Sequence, residues 1–440
     1  MDFPLLTDNT LEMNKNERDA IIALIKREVV PAVGCTEPAA VSLAVAKATE
    51  LLGCLPEKIH LNLSGNIIKN AMGVGIPGTG MIGLPIAVAL GALIGKSEYQ
   101  LEVLRDVNPD AVKHGREYIE QERISIALAE DAPDNLWIDV NVSAGEHSAQ
   151  AVIGYQHTRF VLLRKDEETI LDSTAETQDN SSASNTDPEL TFSKVWEFAT
   201  TAPVGEIEFI MEAKKLNKAA AEFALAGDYG HSLGNTLRHH GNRWFGDTPL
   251  SHMVGVTSAA CDARMGGAPI PVMSNSGSGN QGITATMPVV AFAEDTGASY
   301  EQTVRALALS NLTSIYIKQS LGRLSALCGC VVASTAASVA LVYLMGGDYD
   351  KACFTVKNMV ANLTGMICDG AKPACALKIS SGVSTAMMSA MMAMNGKCVS
   401  SAEGIVCDDV DQTVHNLTGI GREAMSVTDR YVLNLMTHKC

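Results

Sequence analysis

The chain has 440 residues, of which 47% are hydrophobic and 19% are charged, so it can fill a sizeable core and global disorder is excluded. Its formal net charge of −16 makes nucleic acid a poor partner, because that binding depends on phosphate neutralisation by Lys and Arg. The longest apolar runs, 81–95 and 331–346, fall short of the roughly 20 residues that cross a bilayer. No signal-peptide pattern opens the sequence, and we therefore expect a cytoplasmic protein without a membrane span.

The first 190 residues mix helical and extended patterns. We predict a helix over 16–30 that stops at Pro31, and a second helix that starts at Pro38 and runs to about Leu52. A strand over 59–63 precedes a glycine-rich stretch and an apolar helix. An antiparallel meander is predicted within 123–172, followed by a polar loop at 173–188; its extended runs are 124–126, 137–142, 151–153 and 160–163.

The chain beyond Phe192 reads as mostly helical. Predicted helices, rich in Ala, Met and Leu, lie at 195–201, 206–225, 300–321, 330–345, 349–366 and 374–394. The sequence therefore predicts an α+β fold. A mixed region with an antiparallel sheet occupies 1–190, and a mainly helical region that carries the clustered cysteines occupies 191–440.

Three glycine-rich stretches, 73–78, 78–83 and 277–282, match the spacing Gly-x-Gly-x-x-Gly of dinucleotide-binding turns. Pro77 interrupts the first, which overlaps the second, and no Gly-Lys-Ser/Thr follows any of them, so we do not predict a nucleotide site. The segment Ser274–Gly282 can instead gather backbone N–H groups around an anion such as an amino-acid carboxylate. A tight connection between packed helices explains the same glycines equally well.

Eleven cysteines, an odd number, point to metal binding or catalysis before disulfides in a chain not marked as secreted. Cys368 and Cys375 flank an Asp-Gly turn and a proline, and we expect a helix to end near Cys368. Cys375 should lie in the first turn of the next helix, where the dipole favours thiolate. With Cys328 these thiols could hold an iron–sulfur cluster, while zinc or plain structural cysteines would give a similar spacing.

Cys35 precedes the helix predicted to start at Pro38, with Thr36 or Glu37 as its cap. This setting predicts a thiol pKa lowered toward neutrality, which suits a general base or a nucleophile. A capped helix start with an incidental cysteine is the competing interpretation.

Five segments in the same order resemble the L-cysteine desulfidase family, which is related to the alpha chain of iron–sulfur L-serine dehydratases. The resemblance covers about residues 30–430, and the segments are Gly34–Pro38, Pro77–Met81, Asp262–Gly267, Ser274–Gly282 and Met366–Ala371. It implies an oxygen-labile 4Fe–4S cluster and a reaction that converts L-cysteine to pyruvate, ammonia and sulfide without pyridoxal phosphate.

The resemblance also implies roles for individual cysteines. Cys328, Cys368 and Cys375 match the cluster ligands of the serine dehydratases, although the loop between the last two is shorter here and carries Gly370 in place of a proline. Cys35 matches the proposed proton acceptor of the desulfidases. Cys330 is interpreted as structural, and Cys440 is not assigned to the cluster.

The expected substrate is a small amino acid. Polar residues of this kind more often serve as caps or structural hydrogen-bonding groups, and the candidate binding groups are Arg264, Ser274, Asn275, Ser276, Gly277, Asn280, Asn66 and Lys69. L-Serine dehydratase is the alternative activity, and a non-catalytic thiol or zinc-binding protein is the second alternative. A homo-oligomer is compatible with the sequence, although the Met-rich segment Val383–Met394 is predicted to be core rather than interface.

Overall fold

The computed structural model describes residues 13–174, 187–240, 242–322 and 325–438, and the statements below concern these ranges. Its strands are β1 (Pro31–Val33), β2 (Lys58–Leu63), β3 (Gly75–Ile76), β4 (Met81–Ile82), β5 (Ile124–Leu128), β6 (Trp137–Ala144), β7 (His147–Gly154), β8 (Phe160–Lys165), β9 (Glu168–Asp172) and β10 (Pro271–Met273).

The helices of the first half of the chain are α1 (Lys15–Glu28), α2 (Thr36–Leu52), α3 (Gly65–Ala71), α4 (Leu84–Leu93), α5 (Pro109–Glu120), α6 (Phe192–Thr201), α7 (Val204–Ile207) and α8 (Met211–Leu225). Those of the second half are α9 (Leu233–Asn235), α10 (Asn242–Phe245), α11 (Pro249–Met265), α12 (Gly279–Thr296), α13 (Tyr300–Leu321), α14 (Gly329–Leu344), α15 (Tyr349–Leu363), α16 (Cys375–Met394), α17 (Val410–Gly419) and α18 (Ser426–Thr437). The predicted α+β fold is confirmed. Short 3₁₀ or π segments lie at Ser97–Glu102, Glu208–Ile210, Thr236–His240 and Ile420–Ala424.

A six-stranded mixed sheet forms one layer, in the order β5-β2-β6-β7-β8-β9. The predicted meander is confirmed for β6, β7 and β8, which pair antiparallel, and β9 extends it by a strand that was not predicted. It is wrong for β5, which pairs parallel to β2 at the sheet edge. The reason is the connection: α3, α4 and α5 return the chain to the start of β2, and such a crossover produces a parallel neighbour.

Helix α2 covers one face of this sheet. Ile138, Val140 and Val142 of β6 are buried and alternate with more accessible Asp139 and Asn141, the pattern of a strand with one buried face. They share a core with α2 and α4. The sheet therefore provides a rigid base for the start of α2.

The second core is built from helices packed around α14, which contacts α12, α13, α15 and α16. The predictions for α13 and α14 match within a residue, whereas the predicted 206–225 helix is divided into α7, a 3₁₀ turn and α8. Helices α11 and α12 were not predicted. Residues Met253 to Met265 of α11 are all buried, so no polar face marks its period.

The two regions pack against each other through elements at both ends of the chain. The α1 side chains Ile21, Leu24 and Ile25 are buried in the helical core, and β1 pairs with β10. In return, Leu433 of α18 packs into the core beneath the sheet. The division of the chain at residue 190 remains a proposal, because an element from each end of the chain packs into the core of the other region.

The Met-rich part of α16 lies with one face in the core and one face outside. Val383, Ala386 and Ala390 are buried, whereas Met388 and Met391 are half exposed. No helix in the described part of the chain is both long enough and apolar enough to span a bilayer.

Candidate active site

A cavity of about 130 Å³ lies where the two regions meet. Its lining comes from distant parts of the sequence: Cys35, Thr36, Glu37, Asn66, Asn70, His157, Arg264, Ser276, Gly277, Ser278, Asn280, Gln281, Lys318, Ser325, Leu327, Cys328, Gly329, Cys330, Cys368, Gly370, Ala371, Cys375, Lys378 and Ile379. The three predicted cluster cysteines, the predicted base and five of the eight predicted substrate groups therefore face one space.

Cys35 is positioned by the pairing of β1 with β10, which places it beside the segment that precedes α12. Gly34 has φ +69°, and a Cβ there would lie 2.6 Å from Pro77 Cγ. This turn directs the chain into α2, which begins at Thr36. Cys35 is itself the N-cap residue, so the predicted helix start at Pro38 is two residues too late.

The Cys35 thiol donates to Glu37 Oε2 over 2.8 Å, and both residues are buried. Burial, together with the Glu37 charge, raises the pKa of the thiol well above its ordinary value, although Arg264 opposes the shift. The prediction of a lowered Cys35 pKa is therefore wrong. The helix N-terminus is present, but desolvation and a carboxylate outweigh it.

Arg264, near the end of α11, is 3% exposed and crosses the start of α12. Its Nε donates to Gly34 O and its Nη1 to Asn280 Oδ1, both over 3.1 Å. A Cβ at Gly279 would lie 2.2 Å from Arg264 Nε, so only glycine fits this crossing. Arg264 thus ties the Cys35 turn to α12 and keeps a positive charge beside the cavity.

The segment before α12 contains a turn that lines the cavity and two residues that lie outside the lining. Ser276 and Gly277 have φ +48° and +80°, and they line the cavity next to the N-terminus of the 18-residue α12. Ser274 lies outside the lining and donates to Val30 O over 2.7 Å. Asn275 is also outside it and donates to Asn311 O over 3.1 Å. The geometry does not bring these last two to the cavity.

Cys328 and Cys368 are brought side by side by a short antiparallel bridge between Leu327 and Ile367. Cys328 N donates to Met366 O over 3.0 Å, and Cys368 N donates to Ala326 O over 2.6 Å. Cys328 is also the N-cap of α14. The helix before Cys368 ends at Leu363, three residues before the predicted end at 366, and this leaves the chain extended for the bridge.

Cys375 is the first residue of α16, as the prediction of a first-turn position requires. Between it and Cys368, Gly370 has φ +90°, and a Cβ there would lie 2.0 Å from Lys69 O on α3. Lys69 does not line the cavity, because its ammonium forms an ion pair with Asp429 of α18. The loop that presents Cys368 and Cys375 therefore rests on α3.

The environment of the three thiols fits a cationic metal group. Burial and the neighbouring Cys368 raise the pKa of Cys328 to about 12, against the effect of Lys378. Burial also raises the pKa of Cys375 in spite of Lys372, so the expected dipole effect does not prevail there. A bound cation relieves both causes, since it compensates thiolate charge in a buried site.

Two lysines border this thiol group. Lys378 donates to Ile367 O over 2.8 Å and contacts the Asp369 carboxylate, which lies 2.6 Å from the Lys372 ammonium. Partial burial acts to raise the pKa of Asp369, but the two lysines lower it to about 2. In the described ranges no three His, Cys, Asp or Glu side chains are close enough to bind a single metal ion. The shared cavity and the all-thiol donor set suit a larger iron–sulfur group.

Cys330 also lines the cavity, but its thiol donates to Lys378 O over 3.1 Å, which agrees with a structural role. Cys440 lies outside the described residues, as does most of the predicted loop at 173–188.

Sequence reasoning missed several polar residues of the cavity: Asn70, His157, Lys318, Lys378 and, beyond a capping role, Glu37. Glu37 stands two residues from Cys35 within a motif already singled out, so that motif carried a signal for it. His157 lies in the turn between β7 and β8, where no pattern distinguishes it from an ordinary turn residue.

Comparisons with known proteins show the family of the chain. The family model of the serine dehydratase alpha chain matches residues 98–434, which include the three thiols but not Cys35. The chain is 60% identical to a UPF0597 protein of Bacteroides fragilis, over 97% of this chain and all of the relative. It is 52% identical to one of Porphyromonas gingivalis and 46% to one of Oleidesulfovibrio alaskensis, again over 97% of the chain and all of each relative.

The family model thus matches most of the sequence, and the chain aligns with these relatives over their whole length. The names of these relatives state no activity. The chain belongs to the serine dehydratase alpha chain family, in a group whose members are named UPF0597 proteins.

Proposed function

We propose that the protein is an iron–sulfur-dependent lyase that removes the β-substituent of a small α-amino acid, with L-cysteine as substrate. The products are pyruvate, ammonia and hydrogen sulfide. The observation that carries the proposal is the shared cavity, lined on one side by Cys328, Cys368 and Cys375 and on another by Cys35 and Arg264.

Cys328, Cys368 and Cys375 would hold a 4Fe–4S cluster. With three protein ligands, such a cluster supplies one iron that is open to act as a Lewis acid toward substrate. Lys372 and Lys378 compensate part of the thiolate charge at this side of the cavity.

The chain's own residues orient the amino acid. The start of α12, the Ser276-Gly277 turn and the Arg264 charge together favour a carboxylate. Asn66 lies across the cavity, is 8% exposed, and its Oδ1 has no hydrogen-bond partner among the described residues. A buried acceptor in that state is costly, and a substrate amino group would satisfy it.

The thiol of Cys35 lines the same cavity and is the proposed acceptor of the α-proton. Loss of that proton and of the β-substituent gives aminoacrylate, which tautomerises and hydrolyses to pyruvate and ammonia in water. The role of Cys35 as the group that takes the proton fits its place outside the three-thiol set.

L-Cysteine is preferred because Cys35 and its surrounding motif carry the resemblance to cysteine desulfidases, and this motif lies in the cavity. L-Serine is the second candidate, and the family model favours it by name. The two substrates differ only in whether sulfur or oxygen leaves the β-carbon.

Anaerobic purification followed by iron and acid-labile sulfide analysis tests the cofactor. We expect about four of each per chain, together with sulfide release from L-cysteine that is faster than pyruvate formation from L-serine. Faster turnover of serine would reassign the substrate. Zinc without labile sulfide, and no turnover of either amino acid, would replace the lyase by a non-catalytic zinc-binding protein.

A further inference from the structure

Glu37 accepts more hydrogen bonds than a residue that only caps a helix would accept. Its Oε2 accepts from Cys35 Sγ over 2.8 Å and from Thr36 Oγ1 over 3.1 Å, and its Oε1 accepts from Asn70 Nδ2 over 3.1 Å. The side chain is 7% exposed and lines the cavity. These contacts are those of a buried carboxylate held in its ionised form.

The charged groups around Glu37 come from two other elements. His157, from the β7–β8 turn, and Arg264, from α11, both favour the ionised carboxylate. Burial acts in the opposite direction, yet the pKa of Glu37 remains below its ordinary value. In the resting site the carboxylate is therefore ionised, while the proton of the pair resides on the Cys35 sulfur.

This arrangement raises a difficulty for the proposed reaction. A protonated thiol cannot accept an α-proton, and burial next to a carboxylate keeps the thiol pKa high. The acceptor must first lose its own proton, and the nearest atom that can receive it is Glu37 Oε2.

We propose that Cys35 and Glu37 form a proton relay, in which Glu37 takes the thiol proton as the Cys35 sulfur takes the α-proton of the substrate. This inference rests on the proposed elimination. The electrons of the Cα–H bond form the Cα–Cβ double bond, and the β-substituent leaves with its bonding pair. The Glu37 carboxyl then gives its proton to the departing hydrosulfide, and the resting thiol–carboxylate pair is restored.

Asn70 and Thr36 are positioning residues in this scheme, since each binds a Glu37 oxygen and neither can accept the proton. A competing role for Glu37 is to bind the substrate amino group as a fixed anion. The two roles predict different kinetic changes, because binding of a fixed charge affects KM whereas proton transfer affects kcat.

The test is the Glu37→Gln variant in anaerobically purified, cluster-containing protein. Gln keeps the size and a hydrogen-bond acceptor for Cys35 but cannot take the proton. We expect kcat to fall about 100-fold or more with KM changed less than threefold. Wild-type kcat/KM should decline at low pH as Glu37 is protonated, and this decline should disappear in the variant. A raised KM with normal kcat would overturn the relay in favour of amine binding.

A second measurement does not depend on turnover. Alkylation of Cys35 by iodoacetamide at one fixed pH, followed by peptide mass spectrometry, reports the thiolate fraction through the labelling rate. Removal of the Glu37 charge should raise that rate about tenfold or more, because the carboxylate raises the thiol pKa. An unchanged rate would overturn the thiol–carboxylate coupling.

Two variants complete the experiment. Glu37→Asp keeps the carboxylate and should retain more activity than Glu37→Gln, which also covers a failure of the Gln variant to fold. Glu50→Gln makes the same substitution at a half-exposed site on α2 and should leave turnover and labelling unchanged. A raised labelling rate in protein that turns over neither amino acid would overturn the proposed lyase and its relay while leaving the coupled pair in place.

Discussion

The carboxylate wall of the cavity, formed by Cys35, Glu37 and Asn70, differs from the thiol wall, formed by Cys328, Cys368 and Cys375, in how its polar atoms are satisfied. On the carboxylate wall the side chains bond to one another at 2.8–3.1 Å. On the thiol wall the short hydrogen bonds are those of the backbone, and the Cys375 sulfur makes a long one, 3.6 Å, to Gly370 O.

This difference indicates two kinds of chemistry in one cavity. A closed side-chain network fixes where a proton sits and where it can move, which suits acid–base catalysis. Thiols on a fixed backbone suit ligands, because metal replaces their protons while the backbone contacts stay in place. Each wall can therefore be removed separately, and the two kinds of loss should differ.

The largest expected effect is removal of the thiol wall by Cys368→Ala. Cluster absorbance and lyase activity should disappear together, since two thiolates do not retain a 4Fe–4S cluster. The matched control is Cys330→Ala, whose thiol lines the same cavity but donates to Lys378 O. That variant should keep its iron and labile sulfide. Full activity of Cys368→Ala, or of iron-free protein, would remove the basis of the proposal.

The next effect concerns the carboxylate wall. Cys35→Ser should retain the cluster spectrum and lose about 100-fold or more in kcat, because the hydroxyl is a far weaker proton acceptor than thiolate. Iron content and ultraviolet–visible absorbance of the same preparation provide the internal control. Loss of the cluster from this variant would instead make Cys35 a ligand, and the distinction between the walls would fail.

The sequence predicted the fold class and the helices around α14, because long segments rich in Ala, Leu and Met have few alternatives to packed helices. It also led to Cys328, Cys368, Cys375 and Cys35 through motif resemblance, and the structure gathers all four. Spacing alone left them ambiguous with zinc or structural cysteines. The bridge between Leu327 and Ile367 that aligns two of them is a tertiary contact without a sequence signal.

The network around Cys35 could not be predicted for the same reason. The thiol pKa was expected to fall at a helix N-terminus, a local effect, whereas burial and Glu37 determine its direction. Lys69 resembled a substrate group, but its partner Asp429 is 360 residues away. Local motifs thus indicate which residues matter, and packing decides their charge and partners.

The Lys69–Asp429 ion pair connects the two walls, since α3 carries Asn66 and Asn70 and supports Gly370 of the cysteine loop. Asp429→Asn leaves a 2%-exposed ammonium without its counter-ion and should cost about 3 kcal/mol of unfolding free energy. Thermal unfolding measures this loss. Replacing both partners, as Lys69→Met with Asp429→Leu, should recover part of it. An undiminished Tm in the single variant would contradict support from α18.

The smallest expected effect concerns Asp262, which lies on α11 two residues before Arg264 and accepts a hydrogen bond from Gly234 N over 2.9 Å. It is 1% exposed, and burial raises its pKa to about 6 although backbone N–H groups such as that of Gly234 oppose the shift. A carboxyl whose pKa is higher in the folded state than in the unfolded state stabilises the fold. This contribution is complete at pH values below the pKa of the unfolded state, near 4. That contribution is lost as pH rises through about 6.

Asp262→Asn removes this titration, so its stability relative to wild type should increase by about 1 kcal/mol between pH 5 and pH 8. Urea unfolding of both proteins at the two pH values measures the difference, and the cluster spectrum should not change. A pH-independent difference would mean that Asp262 is ionised throughout, with its Oδ1, which lacks a partner among the described residues, buried as a charge.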